Sequence, residues 1–223
     1  MHEVVIPLWL SVKVATAATL LTLLPGIAAG RLLARRNFRG KALVETLVEL
    51  PLVLPPTAVG FGLLVLLGRH GPLGRDALGF DPGLLFTWRG AAIAAAVMSF
   101  PLVVRTARLA FDAVDPRLEL MAASLGMSPL RRLVAVTLPL ARRGLLAAAL
   151  LGFTRALGEF GATAVVAGSI PGETQTLALA LFEDIQTGDH RSAMLLLAIA
   201  TALAFAAIAA VGRLQRRPAE GTK

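Results

Sequence analysis

The chain has no cysteine and no tyrosine, and aromatic residues of any kind make up only 5% of its 223 positions. Without cysteine there is neither a disulfide framework nor a thiolate metal site. The three histidines, His2, His70 and His190, sit far apart without ligand spacing, so no metal centre is expected. No Gly-x-x-x-x-Gly-Lys-[Ser/Thr] loop occurs, which excludes a phosphate cradle of that type and leaves the chain without a nucleotide cofactor of its own. No Ser/His/Asp grouping is evident, so a membrane-embedded enzyme lacks its catalytic cluster. Acids inside apolar segments are almost absent, which removes the ion relays on which secondary transporters depend.

What is abundant is apolar sequence. Hydrophobic residues make up 56% of the chain, and mean hydropathy is +0.73. Several runs exceed the roughly 18–20 residues a helix needs to cross hydrocarbon. They place an all-α, polytopic bundle of five spans at about 8–33, 43–67, 91–109, 144–167 and 193–211, in one transmembrane domain covering 1–223. The first is too long for a signal peptide's apolar region and has neither a basic start nor a small-residue cleavage site, so it is read as retained.

The net charge of +8 does not point to nucleic acid, because the cations flank apolar spans. Arg31, Arg35, Arg36, Arg39 and Lys41 follow the first. Arg105, Arg108, Arg117, Arg131, Arg132, Arg142 and Arg143 lie between the third and fourth. Arg213, Arg216, Arg217 and Lys223 close the chain. These are sixteen of the 22 basic residues, and their clustering predicts an outside N-terminus and a cytoplasmic C-terminus.

Two spans carry irregularities. Pro51, Pro55 and Pro56 fall within six residues of span two, so it is expected to break near Leu54. Either this is a packing kink, or a half-helix starting at Pro55 aims its N-terminal amides, with Thr57, at a translocation path. Span four holds Arg155 and Glu159, four residues apart on one expected helix face. Ionised groups there cost on the order of 2.5–3.5 kcal/mol each. Either they neutralise each other, or Arg155 faces an anion path or gate. Gly158 and Gly161 would admit a second backbone at close range.

Between spans three and four, residues 115–139 do not belong in lipid. Asp115 can cap a helix that Pro116 begins, Gly126 can end it, and Ser128-Pro129 can start the next. Leu118, Met121, Ala122 and Leu125 fall at i, i+3, i+4 and i+7, one apolar face. A small amphipathic helix on the cytoplasmic side is a docking surface for another subunit.

Glu119-x-x-Ala122-Ala123-x-x-Gly126, followed by Thr137-Leu138-Pro139, resembles the Glu-Ala-Ala loop of ABC importer permeases. In that family the acid directly precedes the alanines, whereas Leu120 and Met121 intervene here. Glu49-Leu-Pro-Leu-Val-Leu-Pro-Pro-Thr57-Ala-Val-Gly60-Phe, Arg155-Ala-Leu-Gly-Glu159-Phe-Gly161-Ala and Ile170-Pro-Gly-Glu173-Thr-Gln-Thr176-Leu resemble molybdate importer permeases. The middle segment is shared with sulfate and thiosulfate permeases. The resemblance implies a type I, MetI-like permease core working as a homodimer in the bacterial inner membrane. It also implies two cytoplasmic ATPase subunits that carry ATP and Mg, and an external oxyanion-binding protein. Glu119, Ala122, Ala123 and Gly126 are then expected to couple to the ATPase. Pro55, Pro56, Thr57, Arg155 and Glu159 are expected at the path or gate. Sulfate, thiosulfate or tungstate is the alternative cargo.

Overall fold

The computed structural model describes residues 2–215, and every secondary-structure element among them is helical. Arg216, Arg217 and Lys223 of the basic C-terminal cluster lie outside the described residues. The order is α1 (His2–Arg35), α2 (Lys41–Val53), α3 (Pro56–Leu67), the single turn α4 (Arg75–Leu78), α5 (Trp88–Asp112) and α6 (Pro116–Ser124). Then come α7 (Pro129–Arg132), a π-helical turn (Leu133–Thr137), α8 (Leu138–Leu157), α9 (Gly161–Ala167), α10 (Leu177–Thr187) and α11 (His190–Gln215).

Among the described residues, four helical stretches are long and apolar enough to cross a membrane: Val4–Arg35, Trp88–Asp112, Pro129–Leu157 and His190–Arg213. The pair α2 and α3, bent by 111° at its break, makes a fifth crossing if it counts as one span. The break falls at Leu54-Pro55, where extended backbone ends α2 and Pro55 and Pro56 open α3. The sequence reading of residues 144–167 as one span needs correcting. The helix there begins at Pro129 and ends at Leu157, Gly158 closes it, and Gly161–Ala167 is a separate short helix. Hydropathy alone cannot see this, because the residues on both sides of the interruption are equally apolar.

The helices pack through small residues. A Cβ on Gly30 of α1 would stand 2.9 Å from the Arg108 amide nitrogen and the Val104 carbonyl oxygen of α5. The same atom on Gly144 or Gly152 of α8 would meet Ala110 or Val103 of α5. Ala15, Ala18, Ala91, Ala92 and Ala95 are fully or almost fully buried along the α1–α5 seam. Water cannot drive helices together inside lipid, so close van der Waals approach between small side chains does so instead. The contacts of Lys13 with Trp88, Gly26 with Val103 and Arg35 with Val114 advance together, so α1 and α5 run parallel. The broken pair α2–α3 therefore returns the chain to its starting side. The contacts of Gly144 with Ala110 and Gly152 with Val103 set α8 antiparallel to α5.

Candidate functional site

The two interrupted segments meet. α3 packs against α9, and a Cβ on Gly161 would sit 2.8 Å from Pro56 Cβ and 3.4 Å from the Thr57 nitrogen. One turn further along, Gly60 of α3 faces Ala162, whose Cα and carbonyl oxygen lie 2.9 Å from where a Cβ would be. Of the two glycines marked for close approach, Gly161 makes one; Gly158 is exposed, and a Cβ there would meet only the Thr154 carbonyl oxygen, at 3.9 Å. Pro55, Pro56 and Thr57 are exposed at the rim of this junction.

Arg155 and Glu159 do pair, but not along one helix. Arg155 is in the last turn of α8 and Glu159 lies in the interruption beyond it. Arg155 Nη1 donates to Glu159 Oε2 at 2.7 Å. The other carboxylate oxygen, Oε1, accepts the Ala162 amide at 2.9 Å. A carboxylate at the start of a short helix satisfies an orphan amide and favours the positive end of the helix dipole. Glu159 is 2% exposed, so it joins the end of α8 to the start of α9 from inside the protein. Its capping role is invisible to a reading that continues one helix through Gly158.

The segment after α5 forms as its capping residues require. Asp115 Oδ1 accepts the Arg117 amide at 2.9 Å, Pro116 is the first helical residue, and Gly126 adopts φ +78°. Ser128 Oγ then accepts the Arg131 amide at 3.4 Å ahead of α7. Leu118, Leu120, Met121 and Leu125 are exposed on α6, with Leu125 79% accessible. Leu130 and Val134, further along the segment, are exposed as well. Ala122 does not belong to it. At 5% exposure it is turned into the subunit, and its carbonyl accepts the Met127 amide. Ala123 is half-buried and Gly126 exposed.

Glu119 also faces inward. Its Oε1 accepts from Thr137 Oγ1 at 2.8 Å and lies 3.5 Å from Arg35 Nη2. The same Nη2 donates to the Val114 carbonyl at 2.8 Å. One cluster thus fastens α6 to the end of α1 and to the π-helical turn. Thr137 is fully buried. Pro139 has no amide hydrogen to return to the turn before it, a defect consistent with a π-helical turn there. Sequence reasoning placed Arg35 only among the flanking cations and missed this role. The spacing of Glu119 from the alanines was the available signal, since it puts the acid on the opposite face from Met121 and Leu125.

Among the described residues, no group of three or more His, Asp or Glu side chains converges as a metal site.

A family model described as the binding-protein-dependent transport system inner membrane component matches residues 26–218. The chain belongs to that family, as one of its membrane-embedded permease components. It is 47% identical over 197 residues to the molybdenum transport system permease protein ModB of Escherichia coli K12, covering 87% of this chain and 86% of the relative. It is 33% identical over 192 residues to the sulfate transport system permease protein CysT of Salmonella typhimurium LT2, covering 86% of this chain and 69% of the relative. Its fold is that of ABC importer permeases. A chain of the MetNI methionine ABC transporter, in an inward-facing conformation, superposes with a TM-score of 0.69 at 20% identity, covering 96% of both chains.

Proposed function

We propose that this chain is the permease subunit of an ATP-driven molybdate importer. It works as a homodimer in the bacterial inner membrane, with its N-terminus outside and its C-terminus cytoplasmic. ATP and Mg are held by two cytoplasmic ATPase subunits, and an external binding protein delivers the oxyanion. The observation that carries this reading is the junction of two broken helices at Pro56 and Gly161, backed by the pairing of half-buried Arg155 with buried Glu159. Irregular backbone at membrane depth is tolerated where it lines a cavity or is buried in protein. The Thr57 amide, the N–H left over at the start of α3 once Ala58 and Val59 donate to the Pro55 carbonyl, and the half-buried Arg155 guanidinium supply positive potential suited to a doubly charged oxyanion.

The path follows the dimer interface at Pro55, Pro56 and Thr57, and Arg155 and Glu159 form its gate. The exposed leucines and Met121 of α6, with Ala123 and Gly126 beside them, seat in an ATPase groove. Such helix-in-groove docking uses an apolar face with small residues at its closest approach. Ala122 and Glu119 support the helix from behind. Molybdate is favoured over sulfate because relatives named for molybdenum transport are the more similar, at 47% against 33% identity. Competition uptake with the cognate binding protein tests the assignment. Unlabelled molybdate should displace labelled molybdate at concentrations where sulfate does not, and sulfate displacing equally well would reassign the cargo.

A further inference from the structure

Lys13 is a cation on the outward stripe of a membrane helix. Along α1, Trp9, Lys13, Leu20 and Leu24 follow one another at intervals of four, seven and four residues, which places them on one face. Trp9, Leu20 and Leu24 are all exposed there. An ammonium within an apolar span normally has a partner or reaches for the interface. Here Nζ lies 3.9 Å from the ring centroid of Trp88, the first residue of α5. The Arg89 guanidinium approaches the same ring at 5.8 Å.

Both cations line a cleft of about 370 Å³ with Leu10, Thr87 and Glu173. Neither is within ion-pair distance of a carboxylate among the described residues, and that includes Glu173. Two cations sharing one aromatic ring repel each other. The ring quadrupole offsets this only in part. A bound anion would remove the remainder. The parallel packing of α1 and α5 puts both of the chain's tryptophans, Trp9 and Trp88, at the same end of the bundle. This is the level at which amphipathic rings meet lipid headgroups.

We infer that Lys13 and Arg89, assembled around Trp88, bind the phosphodiester of an anionic phospholipid whose acyl chains lie along the Trp9–Leu20–Leu24 stripe. The chemistry recognised is a tetrahedral oxyanion of single charge. The outward stripe favours a lipid over a soluble ion as its source, because only a lipid also covers Leu20 and Leu24.

The chain has only two tryptophans, so Trp9→Phe leaves Trp88 as a local reporter. The full-length Trp9→Phe chain is reconstituted in vesicles mixing brominated phosphatidylglycerol with plain phosphatidylcholine, and in the converse mixture. Quenching of Trp88 should show phosphatidylglycerol preferred by about fivefold, the factor expected for one net cation near a membrane surface. Lys13→Gln/Arg89→Gln should bring the preference to unity. Glu173→Gln, which removes the one carboxylate lining the cleft among the described residues, should raise it. Equal quenching by both lipids, or a preference unchanged in the double variant, overturns the inference. Loss of the preference on adding millimolar inorganic phosphate or molybdate would assign the site to a soluble oxyanion and overturn the lipid assignment. If the double variant fails to fold, the response of Glu173→Gln decides alone, and no rise in preference overturns the site.

Discussion

Gly161 and Pro56 touch so closely that a Cβ on Gly161 would lie 2.8 Å from the Pro56 ring. Two helix interruptions far apart in sequence are thereby pressed into one junction. A proline ring fixed to its backbone cannot move aside. Gly161→Val should therefore push α9 off α3, with an overpacking cost of about 1–3 kcal/mol. The expected outcome is a lower thermal midpoint for the detergent-solubilised permease and loss of uptake. Unchanged values of both would show that the contact is slack.

If α3 opens towards a water-lined path, Thr57 is reachable from it. The cysteine-free sequence makes Thr57→Cys a clean probe. It should react with a small polar thiol reagent in the assembled transporter, at rates that differ between the nucleotide-free and ATP-trapped states. Inertness in both states would leave the Pro55–Pro56 break as a packing kink.

Glu159 serves both Arg155 and α9, and substitutions of the pair have to separate these two roles. Glu159→Ala removes both the partner of Arg155 and the acceptor of the Ala162 amide. Breaking this half-buried pair leaves the Arg155 charge without its partner and the buried Ala162 amide without its acceptor, so assembly should suffer. Glu159→Gln keeps an acceptor for the amide and should be milder. Arg155→Ala/Glu159→Gln then leaves neither an unpaired charge nor an uncapped helix. Uptake should stay low in this double variant while assembly recovers. Full uptake would show that the two groups only neutralise each other.

Much of the architecture was legible beforehand. Hydropathy located the apolar segments, proline spacing located the break at Leu54-Pro55, and local rules of capping described α6 from Asp115 to Gly126. Those are local properties. The separation of α9 from α8 was not legible, since it depends on what Glu159 and Gly161 meet in space. The apolar periodicity of α6 grouped Ala122 with Leu118, Met121 and Leu125, yet Ala122 faces inward while the larger side chains face out. Periodicity gives a face but not what covers it. Lys13 passed unnoticed because a single cation inside a long apolar run scarcely alters its hydropathy.

Glu119 and Ala123 should separate support from contact. Glu119→Ala deprives Thr137 and Arg35 of their shared acceptor, so α6 should loosen against α1. Charge-assisted hydrogen bonds contribute about 1.5–3 kcal/mol. ATPase subunits should still co-purify, but more ATP should be hydrolysed per ion transported. Ala123→Leu instead adds bulk beside Leu120 and should weaken ATPase co-purification. Identical behaviour of the two variants would contradict this division of roles.

In the importer proposed above, this chain moves an oxyanion only when a separate ATPase drives it. Reconstituted in proteoliposomes with its ATPase and binding protein, it should accumulate molybdate when ATP and Mg are supplied to the ATPase side, and not otherwise. The chain alone should move none. Uptake by the chain unaided would contradict an ATP-driven permease, and accumulation of sulfate in preference to molybdate by the full assembly would contradict a molybdate importer.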